Sequence, residues 1–119
     1  MNLELGGVYI VDFKENTDGE INGRRYAIVV SEVAKKDKTF LVIPITGKKK
    51  KVKYRGGFSI DNSKYFKEPL YERGFAKVRK IREVAISRIK SDLRFTLDEE
   101  DLEKLRESLK KVIKVLDKS

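Results

Sequence analysis

A chain of 119 residues is long enough to bury one core and too short for two full-sized ones, so one domain over residues 1–119 is expected. With no cysteine and no histidine, it lacks disulfides, thiolate nucleophiles, imidazole acid/base groups and the commonest ligands of transition metals. Its 28 basic and 19 acidic residues leave a net charge of +9, which favours polyanionic partners, nucleic acid first, although a lysine-rich surface also serves stability in heat-adapted proteins.

In chain order, Val8-Tyr9-Ile10-Val11-Asp12-Phe13 follows Gly6-Gly7 and is β-branched and aromatic, which predicts a first strand. Lys14 to Arg24 holds Asn16, Asp18, Gly19, Asn22 and Gly23 and predicts a loop. Tyr26 to Val30 and Thr39 to Ile45 are short continuous apolar runs, as buried central strands require, with Pro44 expected at a strand end, edge or bulge. Lys51 to Ile60 predicts a more polar strand interrupted at Gly56-Gly57. Asp61 to Tyr71 is then irregular or a short helical turn, and Phe75 to Val78 and Ile81 to Ile89 are two further short pieces.

Thr96-Leu97-Asp98-Glu99 matches a capping box, and Leu102, Leu105, Leu109, Val112, Ile113 and Leu116 recur at helical spacing, which predicts an amphipathic helix from about Leu97 to Leu116. Several short strands before one helix, without βαβ alternation, predict a mainly β fold: a small barrel or curled sheet closed by a C-terminal helix. The acids from Asp98 to Asp101 are read as carboxylates favoured by a helix N-terminus rather than as a metal site, and no cofactor is expected. No apolar run approaches the roughly eighteen residues of a membrane helix, and Met1-Asn2-Leu3-Glu4-Leu5 lacks the layout of a secretion signal. A soluble, cytoplasmic protein is therefore expected.

Charge is unevenly placed, since residues 97–119 carry seven acidic and six basic side chains, leaving an excess of +10 upstream. Its densest run is Lys48-Lys49-Lys50-Lys51-Val52-Lys53-Tyr54-Arg55, which suits either a phosphate backbone or a solvated hairpin tip.

Gly7-Val8-Tyr9-Ile10-Val11-Asp12-Phe13, then Gly19-Glu20-Ile21-Asn22-Gly23-Arg24-Arg25 running into Ala27-Ile28-Val29-Val30-Ser31, resemble the opening of the MazF/PemK toxins. Pro44-Ile45-Thr46 resembles the family's Pro-x-Thr segment, and Val78-Arg79-Lys80-Ile81-Arg82 and Ser87-Arg88-Ile89 resemble its later signals. Tyr26 stands where the family usually has proline, free to stack on a base or to fill a core edge. The resemblance implies an SH3-like barrel of the CcdB/Kid/MazF kind, a homodimer, metal-independent sequence-specific cleavage of single-stranded RNA, and silencing by a partner antitoxin.

RNA can be cut without metal by attack of its own 2′-hydroxyl on the adjacent phosphorus, leaving a 2′,3′-cyclic phosphate and a 5′-hydroxyl. A protein assisting this must stabilise charge on the phosphate oxygens. Arg25 supplies a planar cationic fork suited to that task, its alternative use being a structural pair with Glu20 or the C-terminal helix. Thr46, before Gly47, can direct its hydroxyl from the barrel rim toward the phosphate or serve as an ordinary β-branched residue at a turn; Gly47 would permit close backbone approach. Glu20 is the nearby carboxylate, expected to orient Arg25, bond the RNA or accept the 2′-hydroxyl proton.

Arg24, Lys48, Lys49, Lys50, Lys51, Lys53, Arg55, Arg79 and Arg82 are candidate RNA-backbone contacts, and Tyr26, Tyr54 and Phe58 candidate base-stacking rings. Arg88 is expected to form a salt bridge to the C-terminal helix. Two other readings stay open: a non-catalytic nucleic-acid-binding β-barrel in which Arg25 and Thr46 are structural, and a gyrase poison on the related barrel.

Overall fold

A computed structural model describes residues 2–14 and 22–116. Among them, seven strands form one sheet: β1 (Gly7–Asp12), β2 (Arg24–Val29), β3 (Thr39–Gly47), β4 (Phe58–Asp61), β5 (Arg73–Ala76), β6 (Arg82–Ala85) and β7 (Phe95–Thr96). The order is β4-β5-β3-β2-β1-β7, with β6 pairing a second stretch of β3, and every pairing is antiparallel. One helix, α1 (Glu99–Val112), follows. No described helix is long and apolar enough to cross a membrane.

Strand alternation sends the residues of β1, β2 and β3 into two cores. On one face, Tyr9, Val11, Ala27, Val29 and Val42 pack with Phe13, Phe40 and Val84. A bridge between Val11 and Ile89 returns the chain after β6 to β1, so β1, β2, β3 and β6 curl into a small barrel round this cluster. On the other face, Val8, Ile28, Ile43 and Ile45 meet Phe58, Ile60, Val78 and Leu105 of α1. Burial on both faces is why β2 and β3 read as continuous apolar runs. Each such aliphatic side chain contributes about 1.5–3 kcal/mol.

Four local expectations are corrected. Pro44 lies inside β3, at the point where the strand's outer partner changes from β5 to β6. Its carbonyl accepts from Lys77 N–H at 2.8 Å, so the position lacking a backbone donor faces this break and no ladder bond is lost. Residues 48–57 form a loop rather than the start of a strand, and β4 begins at Phe58. Thr96 is spent in β7 opposite Gly7, so Asp98 caps α1 by accepting from Asp101 N–H at 2.9 Å. The helix ends at Val112, and Lys114–Leu116 is a separate 3-10 turn.

Candidate nucleic-acid cleavage site

β2 and β3 run in a register that pairs Ala27 with Pro44 and Tyr26 with Ile45. Arg25 and Thr46 are the next residues of the two strands, one step beyond the last pair, and both line the same cleft at the rim. Arg25 is flanked by Val11 of β1, and Thr46 by Phe75 of β5, which is itself opposite Ser59 of β4. The row from Val11 to Ser59 therefore crosses the barrel-side face at its open end.

Both site residues are half-buried. Arg25 Nε donates to the Asn22 carbonyl at 3.2 Å, which fixes the plane of the guanidinium, and its terminal nitrogens make no hydrogen bond within the described residues. No carboxylate of a described residue pairs with Arg25, and the acids of α1 pair instead with Lys64, Lys104 and Arg106. The Thr46 hydroxyl makes no hydrogen bond within the described residues, so among them the cleft is lined by a cationic fork and an unspent hydroxyl.

An open cleft of roughly 720 Å³ begins at this pair and extends round the rim, past Tyr26, Ile45 and Ile10, to a strap at residues 68–71 and to Lys90, Arg94 and Phe95. Gly47 gives close approach to a side chain of the protein itself: Tyr71 lies where a Cβ would stand, so glycine lets the strap close on β3. Asn62 Nδ2 holds the end of the strap through the Tyr71 carbonyl at 2.9 Å.

Of the other candidates, Arg24 and Tyr26 line the cleft, and Tyr26 rests on Phe66 with ring centres 5.5 Å apart while remaining 37% exposed. Glu20 lies outside the described residues. Lys48 lies beyond Thr46 and donates to Ser59 Oγ at 2.9 Å. Lys49, Lys50, Lys51 and Lys53 are exposed on the following loop. Arg55 and Arg79 share a separate depression beside α1 with Lys111. Arg82 places its guanidinium 5.7 Å from the centre of the Phe13 ring.

Tyr54 holds its own loop in place, while the roles expected of Phe58 and Arg88 are replaced. The Tyr54 ring lies on Phe75 at 5.1 Å and its hydroxyl accepts from Lys49 N–H at 2.8 Å, pinning the loop. Phe58 is buried in the core beneath α1. Arg88 donates to the Asp12 carbonyl at 3.2 Å, locking the end of β1 rather than reaching the helix. Sequence reasoning passed over Lys90, Arg94, Phe66 and Phe95 as cleft residues. The one available signal was a pair of cations, Lys90 and Arg94, just before Phe95, too common a pattern to single them out.

Behind the cleft, Tyr65 stacks on Phe95 at 4.4 Å, and Phe95 meets Phe66 edge-on at 5.2 Å. Lys64 bridges Asp98 and Glu100 at 3.0 Å each and Asp101 at 3.5 Å, as expected of carboxylates gathered at a helix N-terminus. The Lys64 ammonium holds the Glu100 carboxyl below its ordinary range, while the Asp101 N–H and then Lys64 do so for Asp98. Hydrogen bonds to Glu100 and Asp98 raise Lys64, and burial followed by the bond to Asp101 raises the Tyr65 hydroxyl.

A sequence profile described as "PemK-like, MazF-like toxin of type II toxin-antitoxin system" matches residues 4–113. Comparison with curated protein sequences gave no match. Among solved structures, MazF (Form-I) from Deinococcus radiodurans superposes with a TM-score of 0.72 at 17% identity, covering 96% of this chain and 98% of that one. An endoribonuclease in complex with its cognate antitoxin from a mycobacterial species gives 0.65 at 15% identity, with 92% and 93% covered. Mycobacterium tuberculosis toxin MazF-mt6 gives 0.64 at 11%, with 91% and 96% covered. At these identities the superpositions establish the shared fold, a CcdB/MazF-like barrel with a C-terminal helix, and the profile spans nearly the whole sequence. The chain belongs to the PemK-like, MazF-like toxin family of type II toxin–antitoxin systems.

Proposed function

We propose that the protein is a metal-independent, sequence-specific endoribonuclease acting on single-stranded RNA. The observation that carries this reading is that Arg25 and Thr46, each one step beyond the last β2–β3 pair, line one cleft at the rim, with the Thr46 hydroxyl unspent among the described residues. The 2′-oxygen attacks the adjacent phosphorus, the bond to the 5′-oxygen breaks, and the products are a 2′,3′-cyclic phosphate and a 5′-hydroxyl. Arg25 stabilises charge developing on the phosphate oxygens, where preorganised donors act most strongly, and Thr46 adds a hydrogen bond. Glu20 orients Arg25 or takes up the 2′-hydroxyl proton, and the lysines after Thr46 follow the RNA backbone.

The active form in this reading is a cytoplasmic homodimer, and an acidic segment of a cognate antitoxin silences it by occupying the cationic surface. One structural relative is described as an endoribonuclease bound to its cognate antitoxin, which supports this partner class. Purified protein incubated with a long mixed-sequence RNA in EDTA tests the reading, with cut positions and end groups mapped. Cuts at a recurring short sequence, bearing cyclic phosphate and 5′-hydroxyl ends, are expected. Intact RNA would remove the nuclease reading and leave a non-catalytic nucleic-acid-binding barrel.

A further inference from the structure

The cleft beside Arg25 has a second wall that the chemistry above does not use. After β6 the chain runs back along β1 on the edge away from β2, with Lys90 N–H donating to the Ile10 carbonyl and Arg94 N–H to the Val8 carbonyl, each at 2.8 Å. Ile10 is also the partner of Tyr26, so Lys90 and Tyr26 stand on either side of Ile10, separated by two strand spacings, roughly 10 Å. Both cations are exposed. Lys90 Nζ makes one bond, to the Ser87 carbonyl at 3.2 Å, and the Arg94 guanidinium makes no hydrogen bond or ion pair within the described residues.

Among the described residues the charged side chains lining the cleft are Arg24, Arg25, Lys90 and Arg94 against Glu68, a net charge of +3. Beside the aliphatic Ile10, Ile45 and Leu70, its lining holds four aromatic rings: Tyr26 packs on Phe66 and Phe66 on Phe95, and Tyr71 lies on the strap. Aromatic rings and cations lining one cleft form a combination that stacks bases and binds phosphates of a single strand.

We infer that the wall built by Lys90, Arg94 and Tyr26 is a nucleotide subsite adjoining the scissile position, in which Arg94 and Lys90 hold a neighbouring phosphate and Tyr26 stacks its base. Tyr26 is partly held by Phe66, so its ring is presented with little loss of freedom on binding, and Glu68 keeps phosphate away from the strap. The inference rests on the nuclease reading and adds the residues that seat the substrate beside the cut.

The test uses the full chain and a fluorescein-labelled 2′-O-methyl RNA of mixed sequence, which lacks the attacking hydroxyl, with anisotropy followed from about 50 to 300 mM NaCl. A Lys90→Ala/Arg94→Ala double variant is expected to flatten the slope of log K against log salt by about 1.4, roughly 0.7 per phosphate contact. Tyr26→Ala should weaken binding about tenfold without moving that slope. Lys110→Ala, on the exposed face of α1, is the control and should leave slope and affinity unchanged. If the double variant keeps the wild-type slope while wild-type protein still cleaves unmodified RNA, the subsite is overturned and the nuclease reading stands. Failure of wild-type protein both to bind and to cleave overturns both.

Discussion

The Tyr65 hydroxyl donates to Asp101 Oδ2 at 2.5 Å and accepts from Asp98 N–H at 3.0 Å, tying the segment after β4 to the first turn of α1. Asp101 is fully buried, and its other oxygen has no hydrogen-bond partner. Tyr65→Phe would keep the ring on Phe95 but leave the carboxylate with only its ion pairs to Lys64 and Lys104. A loss of about 2–3 kcal/mol is expected, since a buried charged acceptor deprived of its donor keeps its desolvation cost. Urea unfolding of the two proteins measures it, and an unchanged midpoint would contradict the account.

Stability should also depend on pH at both ends of the scale. Asp61, Asp98 and Glu100 are held below ordinary values of 3.8, 3.8 and 4.5, so the stability they lend is complete above those values and is lost as pH falls through their lower folded values. Lys64 and Tyr65 are raised above 10.5 and 10.0, so their contribution is complete below those values and is lost as pH rises through the higher folded ones. A plateau from about pH 5 to 9 is expected, falling on either side. Lys64→Ala should flatten both limbs in a series of thermal melts, whereas an acid limb of unchanged depth would show that Lys64 does not hold these carboxylates.

Gly57 crosses the end of β5 so closely that an added Cβ would collide with the Ala76 carbonyl oxygen, a backbone atom that cannot swing aside. Gly57→Ala is expected to cost about 1–3 kcal/mol. At Gly47 the obstacle is the partly exposed Tyr71 ring, so Gly47→Ala should shift the strap with a smaller loss of stability. Comparing their unfolding midpoints checks the order; equal losses would show that Tyr71 is as immovable as the Ala76 backbone.

The strands β2 and β3 were legible because burial on both faces writes an unbroken apolar run, and their shared register follows once they pair. Arg25 and Thr46 are singled out by the family signature, and the strands carry both to the lining of one cleft. The turn chemistry was less readable. Asp98 rather than Thr96 caps α1 because β7 claims Thr96 for a pairing with Gly7, nearly ninety positions away in the chain. Phe58 looked like a stacking ring because sequence does not distinguish an aromatic facing solvent from one facing a core. Lys90 and Arg94 reach the cleft only through backbone bonds to β1, contacts between distant segments that no local pattern announces.

The central claim is that Arg25 and Thr46 act together on one phosphate. Single-turnover cleavage of one RNA by wild-type protein, Arg25→Ala, Thr46→Val and the double variant tests it most directly. Loss of the guanidinium should slow cleavage at least about 100-fold, loss of the hydroxyl roughly tenfold or more, and the double variant should be little slower than Arg25→Ala alone, as groups that work as a unit behave. An Arg25→Ala protein that cuts at the wild-type rate, or a double variant whose loss is the full product of the single losses, would contradict it.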